Sequence, residues 1–93
     1  MINMDLTDEM LIEINYVEIS QYRKKVMKSL EGKVKIPTAI ARDSWIRINH
    51  ISKVLGELKE HELVECINPE VRKGRLYRHT EKGEMVSKNI NLE

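Results

Sequence analysis

The chain of 93 residues has one cysteine, four glycines and two prolines. Each scarcity excludes something. A single thiol, Cys66, rules out an internal disulfide and leaves a zinc or thiolate site without companions, so a small buried apolar role is expected of it. His50, His61 and His79 show no ligand spacing with Cys66, and no metal site is expected. Gly74 and Gly83 stand singly, in a turn and near a helix start, which is not a loop that cradles nucleotide phosphates. No Ser, Cys or Lys comes with a base and an oxyanion partner, so the sequence predicts no catalytic residue, no enzyme and no cofactor. Apolar runs fall far short of the roughly 20 residues of a membrane span. Asp5, Asp8 and Glu9 contradict a signal peptide, and a cytoplasmic location is expected.

What is present is a chain sized for one domain, with a third of its residues charged, as in a globular protein. The net charge of +1 is uninformative, but its distribution is not. Residues 1 to 19 carry five acids and no base, whereas residues 20 to 36 carry six bases against Glu31 alone. A second basic cluster, Arg72, Lys73, Arg75, Arg78 and Lys82, is interrupted only by Glu81. Segregated charge can create a local positive field on a nearly neutral chain. Lys24, Lys25 and Lys28 are expected to solvate the outer face of a helix.

Thr7 predicts an N-cap, followed by an apolar stripe of Met10, Leu11, Ile14 and Val17. Ser20 caps a second helix with the stripe Tyr22, Val26, Met27 and Leu30, and Gly32 supplies its left-handed stop. Val34 to Ile36 reads as extended because Pro37 follows, and a short helix is expected over 38–42. Asn49 is the expected N-cap of the next helix. "LVECI" (63–67) and "RLYRH" (75–79) read as strands around the turn chemistry of "NPEVRKG" (68–74), and Thr80 caps a last helix through Lys88.

The helix "NHISKVLGELKE" (49–60) contains Gly56, and a mid-helix glycine costs roughly 0.5–1 kcal/mol relative to alanine. Steps of 100° gather Ile51, Val54, Leu55 and Leu58 on one side. Asn49, Lys53, Gly56 and Glu60 fall on the other. The glycine therefore faces away from the chain's own core.

Two helices joined by a short turn, then a basic-tipped hairpin, form a surface shaped for DNA. The stretch "PTAIARDSWIRINHISKVLGELKEHELVECINPEVRKGRLYRHTEKG" resembles winged helix-turn-helix regulators of the MarR and ArsR type, and is most similar to a small archaeal set with "YRKKV" before it and "KGRLYR" in the wing. The resemblance covers about residues 16 to 88 and implies a mainly α fold with a small β-hairpin (α+β). It makes 1–18 an N-terminal arm and candidate dimer contact, and 19–93 the winged helix-turn-helix, within one domain overall. Residues 38–43 would be the support helix, 49–60 the recognition helix in the major groove and 68–75 the wing. The expected DNA-binding residues are Asn49, His50, Ser52, Lys53, Gly56, Arg72, Lys73 and Arg75. Where such regulators often have glycine in the turn between the paired helices, this chain has bulky residues around Trp45, which is expected to be packed. Where they usually have leucine before "TEKG" stands His79, expected to be partly buried with a hydrogen-bond partner, with pH sensing the lesser reading. Arg23 is expected to tie elements together.

The function implied is sequence-specific binding of double-stranded DNA by a transcriptional regulator, with no small-molecule effector evident. A homodimer would meet through Met10, Leu11, Ile14, Met85 and Val86, which could equally complete the core. The alternative is a winged-helix module that binds protein and not DNA, favoured by the carboxylates Glu57 and Glu60 on the exposed helix face.

Overall fold

The computed structural model describes residues 7–91. Five helices and two short strands follow in the order α1 (Asp8–Glu18), α2 (Gln21–Ser29), α3 (Pro37–Ser44), α4 (Ile48–Glu60), β1 (Val64–Cys66), β2 (Tyr77–His79) and α5 (Glu81–Lys88). The fold is mainly helical with a small antiparallel hairpin, registered Val64 to His79 and Cys66 to Tyr77. Lys35 pairs with Tyr77 through two backbone hydrogen bonds, so the extended piece before α3 leans on the hairpin.

Side-chain caps start three of the helices where expected. Thr7, Ser20 and Thr80 accept from Met10 N, Arg23 N and Gly83 N respectively, and Gly32 turns left-handed after α2. The core gathers Val17, Val26, Met27, Leu30, Ile40, Ile51, Leu58, Leu63, Val64 and Val86 into one cluster. All four inward residues of α4 belong to its buried set. Truncating one such residue, for example Leu58→Ala, removes transfer energy and leaves a cavity, at a cost of about 2–5 kcal/mol.

Several expectations fail for identifiable reasons. Leu11 and Tyr22 face outward. On α1 the inward place belongs to Glu13, whose carboxylate accepts from Lys82 Nζ at 3.1 Å and meets His61 Nδ1 at 2.7 Å. Burial pushes that carboxyl up, but the bonds from His61 and Lys82 outweigh it and hold the pKa below the ordinary 4.5. Lys24 is buried beside Glu18, and Lys28 joins Glu31, so of that trio Lys25 alone is the exposed lysine expected. Cys66 is half-buried, its thiol 3.5 Å from Asn68 Oδ1. Asn49 lies inside α4, whose N-cap is Arg47 with no side-chain cap.

Trp45 is the sharpest correction. It is 90% exposed and takes φ +60°, in the left-handed region that large side chains avoid. The neighbours dictate this: Ile46 is buried and its N–H donates to Ala41 O, so the chain must reverse at Trp45. Glu62 has the same φ after α4, where Leu63 N donates to Leu58 O.

Gly83 explains how α5 closes against the hairpin. A Cβ built there would fall on the backbone carbonyl of Leu63, the same oxygen that accepts from Thr80 N. The close-packing glycine of this fold is thus Gly83. Among the described residues, and apart from the backbone of its own helix, nothing would lie within 4 Å of a Cβ at Gly56.

His79, 8% exposed, bonds through Nε2 to Met27 O at 2.8 Å, while Nδ1 has no partner among the described residues. A carbonyl accepts only, so Nε2 carries the proton. Burial is the largest influence and holds the histidine below its ordinary 6.5, against the pull of the Met27 bond.

Candidate nucleic-acid interface

The pinning of Ile51, Val54, Leu55 and Leu58 in the core leaves a complementary ridge on α4: Asn49, Ser52, Lys53, Gly56, Lys59 and Glu60 are all exposed. Shallow depressions run along both flanks. One, of about 400 Å³, is lined by Ser20, Tyr22, Arg23, His50, Lys53 and Glu57, with the Tyr22 and His50 rings tilted together at 5.5 Å. The other, of about 280 Å³, is lined by Pro37, Ser52, Gly56, Lys59, Arg75 and Tyr77. The ridge therefore stands between α2 and the hairpin.

A relay of contacts holds α4 in place. Arg23 Nε donates to Glu57 at 3.1 Å and its Nη1 to Tyr16 O at 2.8 Å, with the guanidinium 3.8 Å from the Tyr16 ring centroid. His61, at the C-cap of α4, stacks on Tyr16 at 3.6 Å and 10°. Guanidinium and imidazole at such distances cannot share a face, so Tyr16 is sandwiched between them. Arg23 ties elements together as expected, and it also neutralises Glu57. Of the two carboxylates on this face of α4, Glu60 alone has no cationic partner among the described residues.

The hairpin loop is stapled by its own side chains. Asn68 Oδ1 accepts from Leu76 N at 2.8 Å, and its Nδ2 donates to Gly74 O at 3.1 Å. Arg75 donates to Val71 O at 2.7 Å and Pro69 O at 3.3 Å. The second basic cluster thus divides by role. Arg78 pairs with Glu65, Lys82 with Glu13 and Glu9, and Arg75 rigidifies the loop. Arg72 and Lys73 are exposed at the tip, and among the described residues no carboxylate lies within 4.0 Å of them or of Lys53 and Lys59.

Of the eight residues expected from the sequence, Asn49, Ser52, Lys53 and Gly56 share the α4 ridge and His50 lines its α2 flank. Arg75 lines the opposite flank, and Arg72 and Lys73 crown the adjoining loop. Lys59 and Tyr22 were missed. Lys59 follows Ser52 by seven residues, two helical turns, and that spacing alone could have found it. Tyr22 fits an apolar stripe in sequence, and only the packing of α2 turns it outward.

Among the described residues no group of three His, Cys, Asp or Glu side chains could hold a metal ion. No helix among them is long and apolar enough to cross a membrane. No family model, curated protein or solved structure matches the chain.

Proposed function

We propose that the chain is a winged helix-turn-helix of the MarR and ArsR type that binds double-stranded DNA as a transcriptional regulator. In this reading α3 supports, α4 enters the major groove and the loop after β1 is the wing. The observation that carries it is the α4 ridge: a bare stripe with two unneutralised lysines and Gly56 as its low point, flanked by a rigid loop bearing Arg72 and Lys73. A helix with side chains is about 10–12 Å across, and the major groove is about 12 Å wide. Asn49, Ser52 and Lys53 carry donors suited to base edges; Arg72 and Lys73 suit phosphates.

Glu60 lies in the last turn of α4 and stays clear of phosphates when the N-terminal half of the helix enters the groove. A homodimer fits the same reading. Its contact would use the outer face of α1, where Leu11 and Ile12 are exposed, and the exposed Ile19 that caps it, since Val86 is buried and Met10 and Ile14 pack on the core. Selection of bound sequences from a random duplex library tests the proposal. Enrichment of a defined site is expected, and retention of no duplex at low salt would overturn it.

A further inference from the structure

We infer that the turn between α3 and α4 is a second DNA contact, in which the Trp45 indole lies against the sugar–phosphate strand bordering the groove, with Arg47 reaching a neighbouring phosphate. The inference rests on the DNA reading of α4 and adds to it a residue and a kind of contact. Trp45 breaks two local rules at once, being exposed over nine-tenths of its surface and left-handed in its backbone. The strain follows from the burial of Ile46, yet a glycine would meet the same constraint without it. Among the described residues the indole has no stacking or cation partner, and nine-tenths of the residue stands in solvent. Glu62 shares the left-handed backbone but carries a polar side chain at a helix end; a large exposed indole on such a backbone is the outlier that points outside the chain.

The surroundings indicate what that is. Arg47, two residues after Trp45, is exposed, and Lys25 lines the depression next to the indole together with Lys28, which Glu31 already neutralises. The one acid there, Asp43, is held by Lys35 at 2.7 Å and Arg42 at 3.2 Å. An aromatic plane beside cations suits a polyanion that also offers apolar sugar surface, as the backbone of a duplex strand does. Reach agrees. Trp45 precedes Ile48, the first residue of α4, by three Cα steps of about 3.8 Å, which keeps it within about one groove width of the helix start. The depression beside it is lined by Lys25, Lys28 and Ser29 of α2 and by Asp43 and Ser44 at the end of α3, whereas the hairpin lines a flank of α4 itself. Turn and wing would therefore be two separate points of contact with the duplex.

Trp45 is the chain's single tryptophan, so intrinsic fluorescence reports this turn alone. The full chain is titrated with a fluorescein-labelled random-sequence duplex, following binding by anisotropy and Trp45 by acrylamide quenching, beside the variant Trp45→Gly. At saturation the quenching constant should fall at least twofold, and Trp45→Gly should bind about tenfold more weakly. Its thermal midpoint should stay close to that of the parent, because relief of the left-handed backbone offsets the greater freedom of glycine in the unfolded chain. A midpoint lower by about 10 °C or more, beyond what glycine's backbone freedom costs, would show that the indole serves the fold and would overturn the inference. So would duplex binding with unchanged quenching and unchanged affinity in the variant, which leaves the α4 reading standing. Shielding by single strands alone, or by raised protein concentration without DNA, assigns the turn to another occupant and refutes it. Failure of the parent to bind any duplex removes the DNA reading and this contact together.

Discussion

Two glycines in two helices should respond to alanine with opposite sign. At Gly56 a new methyl meets open space on an exposed helix face, so Gly56→Ala gains helix propensity and should stabilise the fold by up to about 1 kcal/mol. At Gly83 the methyl meets the Leu63 carbonyl, which is backbone and cannot swing aside. Helix α5 must then back away from the hairpin. Overpacking costs about 1–3 kcal/mol, and weakening the Thr80 N to Leu63 O bond adds about 1. Against a propensity gain of at most about 1 kcal/mol, Gly83→Ala should lose about 1–3 kcal/mol. Urea unfolding measures both differences. Thermal midpoints should move in parallel, by about 4–8 °C per kcal/mol for a domain of this size. Destabilisation by Gly56→Ala would mean that the α4 ridge packs against something within the chain; an unchanged Gly83→Ala would mean that α5 does not rest on Leu63.

Other variants separate the parts of the proposed interface. Gly56→Leu should fold yet bind duplex DNA much more weakly, because its side chain would hold α4 out of the groove; unchanged affinity in a folded variant would show that this face never meets DNA. Arg72→Ala should weaken all duplexes by a similar factor, while Asn49→Ala or Lys53→Ala should lower discrimination at particular base pairs by about 1–3 kcal/mol. Binding curves on specific and random duplexes that shift equally for all of these variants would remove base readout from α4. His79 makes a prediction about acid. Its pKa is lowered in the folded state, so below its ordinary 6.5 the unfolded chain takes up a proton that the folded chain resists. Stability from this residue is complete above that pH and falls below it, by at most about 1.4 kcal/mol per pH unit. His79→Gln keeps a donor for Met27 O and should lack this loss between pH 6.5 and 5; parallel pH profiles of the two proteins by urea unfolding would refute the assignment.

The elements were legible wherever local chemistry acts alone. Thr7, Ser20 and Thr80 each cap a helix within three residues, and the 3.6-residue period of α4 placed its four buried residues without ambiguity. Errors arose where the deciding partner is distant in the chain. Glu13 is buried because Lys82, 69 residues away, and His61 meet it, and no local pattern carries that. The basic cluster looked uniform over 72–82, but the register of Glu65 with Arg78 and the approach of α5 to α1 neutralise part of it. Trp45 was misplaced because large apolar residues are usually packed; only the burial of Ile46 reveals that the chain must turn left-handed just before it. Gly83 had no local signal either, since its neighbour Leu63 lies across the hairpin.

The most direct measurement is the dissociation constant for a selected duplex as a function of salt. With about 4–6 phosphate contacts per protomer, released counterions should give a log–log slope of affinity near −4 to −5, and Arg72→Ala combined with Lys73→Ala should make it shallower by about 2. A slope near zero, or the same slope in the double variant, would contradict the assignment of the α4 ridge and the adjoining loop to DNA.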